Sequence, residues 1–314
     1  MTHSIAFCGT PEFAVPSLEC LISDPNYEVK IVLTQPDRPA GRGKKLKPSP
    51  VKICAEKHNI PVLTPEKVSV GDTIESLQSL NLDLGVVVAY GQILPESFLK
   101  SFKKGCVNIH SSLLPRWRGA APMQRAIMSG DKTTGVSLQR VVQKLDAGDI
   151  IGEIKMDLPL EMGTRELYET LSHKGCDLLL NPLKEYMEDK VSLKKQDESL
   201  ITYAHKIQKE EGLIDWSGDA MDIHNKIRGL NMGGPFAYTR FQGKQLKIHK
   251  SLPKENQAEI KNGSVTLVNK DSFEISCGSK SLEIFEVQPE SKSKMKAGDF
   301  IRGYHLKEGD CFGE

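Results

Sequence analysis

No Gly-x-Gly-x-x-Gly follows the first apolar run of this 314-residue chain, where GTPEFAVPS stands instead, and GRGKK lacks the spacing of a phosphate-binding loop. Neither a nicotinamide cofactor nor ATP is called for. The seven cysteines (Cys8, Cys20, Cys54, Cys106, Cys176, Cys277 and Cys311) are odd in number, scattered and free of any Cys-x-x-Cys pair. Neither a disulfide framework nor a zinc site is indicated, and a reduced, intracellular protein without a metal is expected. MTHSIAFCGT has no charged segment leading into a long apolar one, and no apolar run reaches the roughly 18 residues of a membrane span, so a cytoplasmic location is expected. Charge of one sign is not in excess: 42 Lys and Arg against 41 Asp and Glu leave +1, which excludes a globally basic nucleic-acid binder and leaves room only for a local patch. No Gly-x-Ser-x-Gly elbow and no cysteine with a local histidine signature is present, so no covalent enzyme intermediate is expected.

What is present can bury a sizeable core: 39% of residues are hydrophobic and 26% charged. SIAFCG, VKIVLT, DLGVVVAY and GCVNIH alternate with the amphipathic stretches FAVPSLECLI and SPVKICAEKH, the rhythm of a mainly parallel sheet covered by helices. Thr10 is the expected N-cap of the first helix, with Pro11 at its first position. TGVSLQRV and DIIGEIKMDL read as two further strands. A long helical pattern from Glu166 follows, broken at Pro182. This gives an α/β domain over residues 1–189, a polar, lysine-rich linker over 190–203 and a second domain over 204–314. In the last, the helical SGDAMDIHNKIRGL precedes short strands KQLKIHK, GSVTLVN, SFEISCG and SLEIFEV, as in a small antiparallel barrel.

The chemistry concentrates in GCVNIHSSLLPRWRGAAP, residues 105–122. A buried parallel strand should be nearly all apolar, yet Asn108 and His110 share one face at its carboxyl end, where open α/β sheets place their ligands. An imidazole titrating near pH 6.5 and an amide donor suit proton handling and a developing oxyanion, although a histidine satisfied by its neighbour would read the same way. KLDAGDII supplies Asp146 and Asp149 at a glycine turn from which a carboxylate could orient the imidazole, or which is only a turn. Leu-Leu-Pro offers an apolar wall, and Trp117 between Arg116 and Arg118 offers either a stacking platform or plain packing.

Two basic stretches stand apart. TQPDRPAGRGKKLKPSP gathers Arg38, Arg42, Lys44, Lys45 and Lys47 against Asp37 alone, and reads as a mobile loop, too long for an ordinary strand-to-helix connection. In the second domain, YTRFQGKQLKIHK carries Arg240, Lys244, Lys247, His249 and Lys250 with no acid, as a nucleic-acid-tracking face or a lysine-protected edge strand would.

Taken in order, AFCGTPEFA, TQPDRPAGRGKKLKPSPVK, VVVAYGQILP, VNIHSSLLPRWRGAAPMQRAI, LDAGDI and TYAHKIQKEEGLIDW resemble the methionyl-tRNA formyltransferases, within the wider group of enzymes that use 10-formyltetrahydrofolate. The resemblance spans both domains. It implies a Rossmann-like formyltransferase fold followed by an OB-like β-barrel that binds tRNA, and a catalytic set of Asn108, His110 and Asp146. It implies that Ser112, Leu113, Leu114 and Pro115, with Gln92 and Ile93, bind the folate cosubstrate, and that the loop with Arg38, Arg42, Lys44 and Lys45 meets initiator methionyl-tRNA. The expected reaction is formylation of the methionine α-amine by a monomeric enzyme, with Asn108 and His110 on the oxyanion and Asp146 orienting His110 and relaying protons. The chain departs from the family after IRGLN, where Met232-Gly233-Gly234-Pro235 replaces a tryptophan and proline-rich turn. Two other readings stay open: a formyltransferase for a small amine such as a sugar nucleotide or glycinamide ribonucleotide, and a catalytically silent RNA-binding protein.

Overall fold

The computed structural model describes residues 2–40, 43, 45–255 and 260–313. Arg42 and Lys44 of the expected tRNA loop lie outside them. The chain divides into two compact units, one of Met1–Gly119, Thr134–Met156 and Tyr168–Ala204, the other of Ala120–Thr133, Asp157–Leu167 and His205–Glu314.

The first unit is built on a seven-stranded sheet. Its strands are β1 (His3–Gly9), β2 (Tyr27–Leu33), β3 (Val62–Leu63), β4 (Leu84–Val88), β5 (Cys106–His110), β6 (Thr133–Arg140) and β7 (Ile150–Asp157), in the order β7-β6-β5-β4-β1-β2-β3. Strands β1 to β5 run parallel and β6 runs antiparallel to β5. Every residue of β4 is buried, as a central parallel strand with the sequence LGVVV requires. Helix α1 (Val15–Ser23) follows β1, and α2 (Pro50–Lys57) is capped by the Ser49 hydroxyl, which accepts from the Lys52 amide. Helices α3 (Thr164–Leu180) and α4 (Pro182–Met187) meet at the expected break.

Thr10 is not an N-cap. Its hydroxyl donates to the Tyr90 carbonyl at 2.9 Å, and the Gln35 amide donates to the same oxygen at 3.2 Å. The Thr10 oxygen accepts from the Gln35 backbone amide at 3.4 Å instead, and the short helical turn Glu12–Ala14 that precedes α1 has Pro11 at its N-cap position with no side-chain cap. These bonds tie together the chain leaving β1, β2 and β4 at their carboxyl ends, the side of the sheet on which β5 presents His110.

The basic stretch after β2 forms a small antiparallel hairpin, Arg38–Ala40 with Lys45–Lys47, rather than a wholly irregular loop. Arg38 is paired with Glu66 at 2.7 Å, and Lys52 with Asp37 at 3.0 Å.

The second unit is β-rich. Strands β8 (Tyr238–Phe241), β9 (Lys244–Lys254), β10 (Val265–Val268), β11 (Phe273–Ser276), β12 (Ser281–Pro289) and β13 (Met295–Lys296) form a six-stranded antiparallel sheet, ordered β8-β9-β12-β11-β10 with β13 on β12. Helices α5 (Ala220–Gly229) and α6 (Ala297–Tyr304) bury Ile223, Ile227 and Phe300 in its core, where Phe312 stacks on both Phe241 and Phe273. No described helix is long and apolar enough to cross a membrane. Among the described residues no group of three or more His, Cys, Asp or Glu side chains could hold a metal ion.

Candidate active site

Strand β5 sets the site through its period of two. Asn108 and His110 leave the same face, opposite Gln139 and Ser137 of β6. His110 is buried, whereas Asn108 is half-buried, and its amide makes no side-chain hydrogen bond among the described residues. One imidazole nitrogen of His110, Nε2, lies 2.9 Å from the carbonyl oxygen of Trp117. A carbonyl only accepts, so the proton sits on Nε2. The other nitrogen, Nδ1, faces the Asp146 Oδ2 carboxylate oxygen at 3.7 Å.

Asp146 sits in the turn between β6 and β7 in the left-handed conformation, φ 46°. Its carboxylate is held at both oxygens, by the Gly119 amide on Oδ2 at 2.9 Å and by the Gln139 side-chain amide on Oδ1 at 3.0 Å. Gly148 lets the turn close, since a Cβ there would stand 1.8 Å from the Arg140 carbonyl oxygen. The arrangement can donate to a carbonyl oxygen from Asn108 and can accept a proton at Asp146, with the His110 imidazole held beside that carboxylate. A side-chain nucleophile is not part of it.

The family described as Formyl transferase matches residues 4–183, and the family described as Formyl transferase, C-terminal domain, matches residues 206–305. The chain belongs to the formyl transferase family.

The methionyl-tRNA formyltransferase of Bdellovibrio bacteriovorus is 47% identical over 313 residues, 98% of this chain and 98% of its own length. That of Bacillus subtilis is 44% identical over 310 residues, 98% of this chain and 97% of its own. In fold, the chain resembles WlaRD, a sugar 3N-formyl transferase solved in the presence of dTDP and 5-N-formyl-THF. The TM-score is 0.66 at 20% identity, over 93% of this chain and all of the other (100%).

Within this formyltransferase frame, the other expected residues divide. The Ser137 hydroxyl clasps the segment after His110: it accepts from the Leu114 amide at 3.1 Å and donates to the Ser112 carbonyl at 2.8 Å. Ser112 and Leu114 are buried by this clasp, leaving Leu113 and Pro115 partly exposed. Ile93 is 94% exposed, while the Gln92 amide is committed to the backbone, donating to Pro65 and accepting from Val68, both at 2.8 Å. Lys45 is exposed on the hairpin.

Trp117 carries the Arg116 guanidinium over its ring at 4.4 Å. Arg118, on the other side of Trp117 in the sequence, is buried. It is 1% exposed and points inward to Gln196, because the strand-like segment Arg118–Gly119, paired with Tyr203–Ala204, turns alternate side chains to opposite sides.

Sequence reasoning missed Ser137, Gln139 and Gln196. The first two were within reach: they alternate with Val136 and Leu138 on a buried strand, the same period-two polar signal that exposed Asn108 and His110. Gln196 carries no such signal. It sits in the polar stretch read as a linker, yet its amide donates to the carbonyls of Asp146 and Gly148 at 2.9 and 2.7 Å.

Proposed function

We propose that this formyltransferase moves the formyl group of 10-formyltetrahydrofolate to the α-amine of methionine on initiator methionyl-tRNA, giving N-formylmethionyl-tRNA for translation initiation. The identity with methionyl-tRNA formyltransferases along nearly the whole of both chains supports the acceptor. The approach of His110 to Asp146, with Asn108 on the same strand face, carries the catalytic reading.

The cosubstrate fits the residues present. Ile93, Leu113 and Pro115 leave apolar surface in the first unit, and the Asn108 amide, unpartnered among the described residues, is a donor for a carbonyl oxygen. When bound, 10-formyltetrahydrofolate supplies an electrophilic formyl carbon. Asn108 donates to the formyl oxygen as charge develops on it, and His110, oriented through Nε2 by the Trp117 carbonyl, adds its electrostatic support. Asp146 takes the proton lost by the attacking amine and returns one toward the leaving folate nitrogen. The exposed hairpin lysines meet the tRNA backbone.

The test is formylation of initiator methionyl-tRNA by purified variants with folded structure checked by circular dichroism. Asn108→Ala is expected to lose about 10² to 10³ in kcat, as for the loss of an oxyanion donor, and His110→Ala or Asp146→Asn about 10² to 10⁴. Parent-like turnover of His110→Ala would remove it from the mechanism. Formylation of a small amine with methionyl-tRNA left untouched would overturn the acceptor.

A further inference from the structure

We propose that Gln139 and Gln196 are positioning residues that, anchored by the buried Arg118, hold the Asp146 carboxylate ready to accept a proton. The inference rests on Asp146 being the proton-handling group.

The polarity of this network is determined at one end. A guanidinium can only donate. Arg118 sends Nε and Nη2 to the Gln196 side-chain oxygen, at 3.0 and 2.6 Å. The Gln196 nitrogen must therefore face the other way, and it donates to the Asp146 and Gly148 carbonyls and, at 3.3 Å, to the Gln139 side-chain oxygen. That orients Gln139 in turn, so its nitrogen donates to Asp146 Oδ1 at 3.0 Å. Flipping either amide would set donor against donor or acceptor against acceptor. Every bond in the chain from Arg118 to Gln196 to Gln139 to Asp146 thus points toward the carboxylate, and bonds aligned head to tail polarise one another.

Two further features argue that the chain is more than packing. Arg118 is 1% exposed, forms no close ion pair with a carboxylate and leaves Nη1 without a hydrogen bond among the described residues, a costly placement for a charge with a purely structural task. Gln139 also lies directly across from Asn108, so the chain ends beside the groups it would serve.

The experiment compares the kinetics of the parent enzyme, Asp146→Asn, Gln196→Glu, Gln139→Met and the two double variants with Asp146→Asn. Gln196→Glu keeps an acceptor oxygen for both Arg118 bonds and loses every donor. Gln139→Met loses the donor to Asp146 while leaving the backbone of the turn bonded, so it decides the matter if Gln196→Glu fails to fold. Gln196→Glu and Gln139→Met are each expected to lower kcat about 10- to 100-fold with KM for both substrates within about twofold. In the Asp146→Asn background the same substitutions are expected to change nothing further. Parent-like kcat in a folded Gln139→Met, a raised KM with kcat preserved, or an equal loss with and without Asp146 would overturn the proposal. Parent-like activity of Asp146→Asn would instead sink the reading of Asp146, and the positioning role with it.

Discussion

His110 is held through Nε2 by the Trp117 carbonyl, with Nδ1 turned toward Asp146, so the imidazole has little freedom to turn. Such preorganisation depends on where the carboxylate stands, and that depends on a glycine. At residue 148 a methyl group would meet the Arg140 carbonyl oxygen at 1.8 Å and its carbonyl carbon at 2.7 Å. Both belong to backbone, which cannot step aside as a side-chain tip can. Gly148→Ala is therefore expected to push the turn away from β6 and move Asp146 with it, lowering kcat about 100-fold. Steady-state kinetics of the folded variant with saturating folate and tRNA check this; parent-like kcat would show that the turn can relax without moving the carboxylate. What was legible at this scale were residues whose polarity conflicts with their burial on a strand. Gln196 was not, because its partners are backbone carbonyls 48 and 50 residues away, which no local pattern reveals.

At the scale of elements, the strands were readable because each is an apolar run bounded by turn residues, and the break between α3 and α4 because proline cannot continue a helix. The segment 190–203 was not readable as part of the first unit. It docks through an isolated bridge of Lys194 to Ile150 and through single side chains, and so has no sustained period to detect. In the second unit the seat of α5 has a consequence for pH. His224, 3% exposed, donates through Nε2 to the Leu160 carbonyl at 3.0 Å and accepts at Nδ1 from the Ser251 hydroxyl at 3.1 Å. Burial holds its imidazole below the usual histidine range and nearby Arg228 adds to this, while the Leu160 carbonyl and Glu161 partly offset it. Between the folded value and the unfolded value near 6.5, the unfolded chain binds more protons. This contribution to stability is thus complete above about pH 6.5 and declines as pH falls below it, with a limiting slope of about 1.4 kcal/mol per pH unit. Urea unfolding of the parent at a series of pH values from 7.5 to about 5 should show the decline. His224→Gln, which retains a donor for Leu160, should show a smaller one; an identical slope would assign the pH dependence elsewhere.

For the whole molecule, a net charge of +1 means that any attraction to a polyanion comes from placement and not from amount. The hairpin after β2 is one such place. Arg38 is already neutralised by Glu66 and Asp37 is already taken up by Lys52, whereas Lys45 and Lys47 stand exposed on either side of an outward Leu46 that is 68% exposed. A paired arginine has less to gain from a phosphate than an exposed lysine does, since it must first give up its carboxylate. Lys45 and Lys47, rather than Arg38, are therefore expected to carry the salt-dependent part of tRNA use from this hairpin. Each phosphate contact contributes about 0.7 to 0.9 to the slope of log affinity against log salt concentration. Replacing both lysines by alanine should flatten the salt dependence of kcat/KM for methionyl-tRNA by about 1.4 to 1.8 and leave KM for the folate unchanged. Arg38→Ala should change the slope far less. Equal slopes for the parent and the double-lysine variant between about 50 and 200 mM salt would take the described part of the hairpin out of the tRNA interface, and a large effect of Arg38→Ala would mean that its ion pair with Glu66 opens when tRNA binds.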